Sequence, residues 1–262
     1  MDLGLGNSVA LVTASSKGLG RATAVQLARE GAKVVICARG EDALSATRDE
    51  IVAFGGEVLA VPADVAAPET PQKLVDAALE RFGQLDIVVG NAGGPPPGGF
   101  LGFEEKDWDA AIQLTLMSFV RLCYAAIPAL KQSSQGSILA CTSITVKQPI
   151  PNLVLSNSLR LAVTGLVKSL ADELGPSGVR VNAICPGSTR TDRIEQLLAD
   201  RAERAGTTVD EQAAKMASEI PLGRIGSPDE FGRVAAFLSS PAASFVNGVS
   251  LLVDGGAYRG SM

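Results

Sequence analysis

The stretch Val9–Gly20, VALVTASSKGLG, decides the fold, and it runs directly into RATAVQLAREG over residues 21–31. Its apolar, valine-rich opening reads as a buried strand, the small residues after it as a tight turn, and the segment from Gly18 as a helix. A strand, a small-residue turn and a helix start together aim backbone N–H groups at one point. The helix dipole favours an anion there, and a pyrophosphate fits. Thr13, Ser15, Ser16, Lys17, Gly18, Leu19 and Gly20 are therefore candidate cofactor-binding residues. Gly18 and Gly20 allow close backbone approach and close helix–strand packing.

The same alternation continues outward from that turn. Strand-like runs cover Ser8–Thr13, Lys33–Ala38, Glu57–Pro62, Leu85–Gly90, Gly136–Thr142, Val179–Cys185 and Val249–Val253. Helical periodicity covers roughly 18–30, 41–54, 68–82, 104–131, 152–175 and 228–239. Continuous Val/Ile-rich strands alternating with helices predict an α/β fold, a doubly wound parallel sheet of about seven strands with helices on both faces. No linker, repeat or composition shift divides the chain, so one domain over residues 1–262 is expected. GGPPPGGF over 93–100 reads as a loop at a strand's carboxyl end. Residues 187–227 interrupt the rhythm with helices near 192–204 and 209–219, an insertion suited to a lid over a ligand crevice.

Composition narrows the function. Of 262 residues 46% are hydrophobic and 19% charged, enough for a large core, and the net charge of −5 lacks any basic run. Nucleic-acid binding is not expected. There is no histidine, which removes His-based triads and the commonest metal ligand, and no metal site is expected. Cys37, Cys123, Cys141 and Cys185 are widely spaced and read as buried thiols of a reducing compartment. The N-terminus MDLGLGNSVALVT lacks a signal-peptide pattern and no uninterrupted apolar run reaches membrane-span length, so the expectation is a cytoplasmic protein without a membrane partner.

TASSKGLG resembles the T-G-x-x-x-G-x-G turn of the short-chain dehydrogenase/reductase family, with Ala14 in place of the first glycine. An alanine fits there if it keeps a negative φ. Further matches occur in the family's order: Asp64-Val65 resembles its adenine-contacting pair, and Asn91-Ala92-Gly93 its N-A-G motif. Pro186-Gly187 with Thr191 resembles the P-G-x-x-x-T stretch beside the nicotinamide, and Asp254-Gly255-Gly256 the D-G-G after the last strand. The set covers roughly residues 5–256 and implies a Rossmann-type dinucleotide site. The second strand ends in Cys37-Ala38-Arg39, without the carboxylate that would accept from a ribose 2′-OH. Arg39 and Lys17 instead suit a 2′-phosphate, so NADP(H) is preferred over NAD(H), although Glu41 lies near and most such cations are surface residues.

The resemblance also implies hydride transfer between a nicotinamide and a carbonyl or alcohol, served by a tyrosine, a lysine four residues on, a serine and an asparagine. Only the serine is matched, by Ser143. Ser156 stands at the tyrosine position, Arg160 at the lysine position and Thr115 at the asparagine position. The chain's two tyrosines, Tyr124 and Tyr258, do not precede a lysine by four. A serine hydroxyl is a far weaker acid than a phenol and shorter by a ring, so it replaces the donor only through a water. Arg160 can hold ribose hydroxyls but does not release its proton. Losing a general acid costs ~10²–10⁴-fold, which leaves weak or rerouted catalysis open. Lys147 is a replacement donor if it is partly buried, and otherwise a solvent-facing loop lysine. Arg190, Asp192 and Arg193 read equally as substrate contacts and as helix-start surface charges.

The leading expectation is an NADP(H)-dependent oxidoreductase with an atypical site, resembling 3-oxoacyl-[acyl-carrier-protein] reductases and acting on a small carbonyl or alcohol. The alternatives are a non-catalytic dinucleotide-binding sensor or partner subunit, and an isomerisation or dehydration on the same cofactor. The resemblance further implies a homotetramer or homodimer joined through the helices at 104–131 and 152–175 and through the last strand.

Overall fold

Side chains alternate across a strand, so a strand that is apolar throughout must bury both faces. The computed structural model, which describes residues 2–261, satisfies that requirement with seven parallel strands in the order β3-β2-β1-β4-β5-β6-β7. They are β1 (Val9–Val12), β2 (Lys33–Ala38), β3 (Val58–Pro62), β4 (Ile87–Gly90), β5 (Ser137–Cys141), β6 (Arg180–Pro186) and β7 (Ser250–Val253). Six helices cover the two faces. α1 (Gly18–Arg29), α2 (Glu41–Ala53) and α9 (Pro228–Ser239) pack on one. α3 (Thr70–Phe82), α5 (Ser118–Leu130) and α6 (Val154–Leu174) pack on the other. Along β1, Val9 and Leu11 enter the core under α3, α5 and α6, while Ala10 and Val12 enter the core under α1, α2 and α9. The doubly wound sheet read from the sequence is present, with strand and helix ends displaced by no more than one or two residues.

The connection order reverses between β1 and β4, and an open α/β sheet binds its ligand in the crevice at that reversal. Thr13 N–H donates to Val89 O at 3.1 Å, holding the two strand ends together there. At the opposite end of β1, the buried Asp86 accepts from Val9 N–H at 2.8 Å, Gln84 Nε2 at 2.8 Å and Ser133 Oγ at 2.6 Å. Its carboxylate is fully engaged in structure.

One helix differs from its sequence reading. The segment expected as a single helix over 104–131 is α4 (Glu105–Ile112), a π turn at Gln113–Met117, and α5. A π turn adds one residue to a turn and re-aims the side chains on it, a change that a 3.6-residue period does not reveal. By length and composition Glu105–Leu130 could cross a membrane. In this fold its apolar side chains Phe119, Leu122, Ala126 and Leu130 instead pack against the sheet. Between β6 and α9 lie α7 (Asp192–Ala205) and α8 (Val209–Ser218), with a small core of their own around Leu198, Ala213 and Met216.

Candidate functional site

After β1 the chain reverses sharply. Ser15 is fully buried; its Oγ donates to Val12 O at 2.8 Å and accepts from Cys37 N–H at 3.1 Å. The hydroxyl is spent joining β1 to β2, so the side chain is a brace and not a ligand contact. Ser16 likewise offers its carbonyl to Thr47 Oγ1 at 3.1 Å. Ala14 does not keep the negative φ expected of it: φ is +47°. The reversal requires it, because Ala14 O must receive Asn91 Nδ2 at 3.1 Å and lie directly over Gly20. A Cβ on Gly20 would collide with that oxygen, so this position is closed to every other residue. The bend costs Ala14 about 1–2 kcal/mol. Lys17 precedes α1 without a side-chain cap, which leaves the first N–H groups of the helix open to the cleft.

The cleft holds about 420 Å³ and brings together Lys17, Gly18 and Leu19 from the turn with Asn91, Ala92 and Gly93 after β4. Pro186 at the end of β6 with Gly187 after it, and Thr191 at the start of α7, close it from the far side. Thr13 is buried just below; its Oγ1 donates to Asn91 O at 2.6 Å and accepts from Asn91 N–H at 2.8 Å, fixing the β4 end. Arg39 and Asp64 do not line this cleft. Arg39 is exposed at the end of β2 and makes no ion pair among the described residues. Asp64 turns back to accept from Ala66 N–H at 3.0 Å, and Val65 faces a chamber beneath the cleft.

Ser143, Ser156 and Arg160 meet at the inner end of the cleft. Ser143 precedes a 3-10 turn and its Oγ accepts from Thr145 N–H at 3.1 Å, leaving its own proton available. Ser156 and Arg160 stand one turn apart on α6, so Arg160 Nε reaches Ser156 Oγ at 3.2 Å. Arg160 Nη1 donates to Cys141 O at 3.2 Å and Thr142 O at 3.0 Å. Burial lowers the guanidinium pKa, and the charge of Arg193 lowers it further. Burial also pushes the Cys141 thiol up to about 12, against the opposing pull of Arg160, so no thiolate is supplied here.

Thr115 comes to the site through the π turn. Its Oγ1 is buried without a hydrogen-bond partner and faces a chamber of about 20 Å³, shared with Ser118, Thr142, Asn91 and Arg160. That volume has room for one water. Lys147 is exposed and does not line the cleft, so the partial burial its donor role required is absent. Neither tyrosine lines the cleft: Tyr124 points outward from α5 and Tyr258 lies beyond β7.

The charges at the start of α7 separate. Arg190 turns away and pairs with Glu195 at 2.9 Å. Asp192 pairs with Lys17 at 3.2 Å across the mouth of the cleft. Arg193 reaches over the loop after β4, donates from Nη2 to Pro95 O at 3.1 Å, and fills the space that a Cβ on Gly94 would need. That role for Gly94 was hidden in the sequence because its partner lies about a hundred residues away; the Gly/Pro-dense loop was its only signal.

Residues 13–258 match a family model described as enoyl-(acyl carrier protein) reductase. The L-rhamnose 1-dehydrogenase (NAD(P)(+)) of Azotobacter vinelandii is 37% identical over 254 residues, covering 95% of both chains. A 3-oxoacyl-[acyl-carrier-protein] reductase of a Synechocystis strain is also 37% identical, covering 95% of this chain and 96% of its own. Among solved structures, L-sorbose reductase from Gluconobacter frateurii, complexed with NADPH and L-sorbose, superposes with a TM-score of 0.95. It shares 32% identity and covers 99% of this chain and 100% of its own.

Proposed function

This chain belongs to the short-chain dehydrogenase/reductase family, and from that premise we propose an NADP(H)-dependent oxidoreductase that interconverts a ketone and a secondary alcohol. One observation carries the reading: the uncapped start of α1 and the Ser143–Ser156–Arg160 group open into the same cleft. The residues suit a dinucleotide. Gly20 admits no Cβ, the first N–H groups of α1 would receive a pyrophosphate, and Arg39, exposed after β2 and without an ion pair among the described residues, would answer a 2′-phosphate. NADPH in the sorbose reductase complex supports NADP(H) as preferred, and the NAD(P)(+) of the rhamnose enzyme supports NAD(H) as a possible second partner. When bound, the cofactor supplies or takes the hydride.

The chain's own residues then handle orientation and the proton. Ser143 donates to the substrate oxygen. Ser156, whose oxygen already accepts from Arg160, turns its proton toward the cleft and holds a water in the space a phenol ring would fill. Arg160 keeps that end positive and holds ribose hydroxyls, and Thr115 completes a water site beneath it. The substrate is a small carbonyl compound or alcohol, 3-oxoacyl-like on the resemblance to the Synechocystis relative. Residues 187–227 act as the lid, the assembly is a homotetramer or homodimer, and the buried free thiols suit the cytoplasm.

The missing phenol favours a second reading, a dinucleotide-binding subunit without turnover. Screening ketones, oxoesters and alcohols at the nicotinamide absorbance separates the two. The first reading expects slow oxidation of NADPH by at least one carbonyl, abolished in Ser143→Ala. NADPH binding without turnover across the panel supports the second.

A further inference from the structure

The adenine half of a dinucleotide needs a seat of its own, and the strand order indicates where. With the pyrophosphate at the start of α1 and the nicotinamide end at Ser143, Ser156 and Arg160, the other half falls to the ends of β2 and β3. After β3, Ala63 N–H still donates to Ala38 O at 3.0 Å. Beyond it the backbone of residues 64–69 bonds only to its own neighbours, from Ala67 N–H to Asp64 O at 3.1 Å and from Thr70 N–H to Ala67 O at 3.2 Å. Asp64 Oδ1 is engaged by Ala66 N–H at 3.0 Å. Asp64 Oδ2 and Val65 N–H have no hydrogen-bond partner among the described residues. A carboxylate oxygen beside a free N–H complements the edge of adenine, where the N6 amine donates and N1 accepts.

Arg121 supplies the anchorage that this segment otherwise lacks. From α5 its Nη1 donates to Ala66 O at 3.4 Å and its Nη2 to Gln113 Oε1 at 2.7 Å. Among the described residues, the first of these is the one hydrogen bond that reaches 64–69 from an element distant in sequence. Arg121 makes no ion pair among those residues, so its fork serves these two neutral acceptors. Gln113 opens the π turn that carries Thr115, and a single guanidinium thus ties that turn to the segment after β3. Val65 packs in the same direction, into the chamber it shares with Phe119 and Leu122 of α5.

We infer that Arg121 is a positioning residue for adenine recognition: by gripping Ala66 it holds Val65 N–H and Asp64 in place to receive the base. It acts through the segment and makes no contact with the cofactor itself. Packing of Val65 alone leaves the backbone N–H free to turn, whereas a hydrogen bond to the next carbonyl fixes its direction. This assignment rests on the dinucleotide reading of the cleft but not on turnover.

The test compares NADPH with its hypoxanthine analogue, in which a carbonyl replaces the N6 amine and N1 carries a proton. Both edge groups are thereby reversed, so Asp64 meets an oxygen and Val65 N–H meets another N–H. Titrated by nicotinamide fluorescence, the unmutated protein should bind NADPH about tenfold or more tighter than the analogue, the scale of one hydrogen bond to a charged group. Arg121→Met should remove most of that preference, by weakening NADPH and not the analogue. A merely structural role would weaken both nucleotides by the same factor; an unchanged ratio in Arg121→Met overturns the proposal. Gln113→Ala, at an exposed position, frees the guanidinium from the π turn and should lose part of the preference. A ratio kept in Gln113→Ala but lost in Arg121→Met upholds the grip on Ala66 without help from the π turn. If Arg121→Met does not fold, an unchanged ratio in Gln113→Ala overturns the proposal. Equal binding of the two nucleotides by the unmutated protein, or tighter binding of the analogue, overturns it as well. Failure of the unmutated protein to bind NADPH overturns the dinucleotide reading, and this assignment with it.

Discussion

At the scale of single residues, the strained alanine and the serine–arginine pair give the sharpest expectations. Ala14 holds φ at +47° to serve Asn91 and Gly20, a conformation glycine adopts freely. Ala14→Gly should raise stability by up to about 1 kcal/mol in denaturant unfolding, less than the relieved strain because glycine also loosens the unfolded chain. A drop in stability would show that the bend is not strained. Ser156→Tyr combined with Arg160→Lys should restore a phenol with a neighbouring ammonium and raise turnover by ~10²-fold or more. An unchanged rate would place the limiting step elsewhere. Glu230 supplies a pH expectation. Its hydrogen bonds from Arg224 and Ser227 N–H pull its carboxyl down to about 2. A depressed folded pKa stabilises above the unfolded value of about 4.3 and is lost as pH falls toward 2. Glu230→Gln should therefore flatten the fall in stability across that window, read as thermal midpoints against pH. Ser143, Ser156 and Arg160 were singled out through the family resemblance, and the fold brings the three together in one cleft. Ala14's φ was not, since it depends on Asn91 after β4, a contact made only by folding.

At the scale of elements, the strand–helix rhythm carried the sheet, while side chains that join distant elements stayed hidden. Arg180 on β6 donates to Leu238 O, Ser239 O and Ser240 O at 2.8, 3.1 and 3.0 Å, closing the C-terminus of α9. Arg180→Ala leaves those carbonyls without their partner and should cost about 1–3 kcal/mol, measured by denaturant unfolding. The π turn between α4 and α5 was equally invisible to periodicity, yet it is what carries Thr115 to the small chamber under Arg160. Thr115→Val keeps shape and removes the hydroxyl. If a water bridges Thr115 and Arg160, turnover should fall and stability change little; higher stability with unchanged turnover would show that the hydroxyl was merely unsatisfied.

At the scale of the whole molecule, exposed apolar side chains remain on α5, α6 and near β7: Tyr124, Leu161, Phe245 and Leu251. Sedimentation should show an assembly of four 26.9 kDa chains, or two, and a monomer would contradict the expected oligomer. At this scale one cleft opens where the strand order reverses, lined by residues in or just after β1, β4, β5 and β6 and by α6 and the start of α7. The strand, turn and helix start at Val9–Gly20 were readable from the sequence, but not the bridge from Lys17 to Asp192 or from Arg193 to Pro95, which join segments about a hundred residues or more apart. Fluorescence titration of the intact protein with NADPH and NADH, repeated on Arg39→Ala, tests this cleft most directly. Saturable binding should favour NADPH by about tenfold or more, the scale of one charge-assisted pair, and Arg39→Ala should erase the difference. No saturable binding of either nucleotide, or tighter binding of NADH, would contradict it.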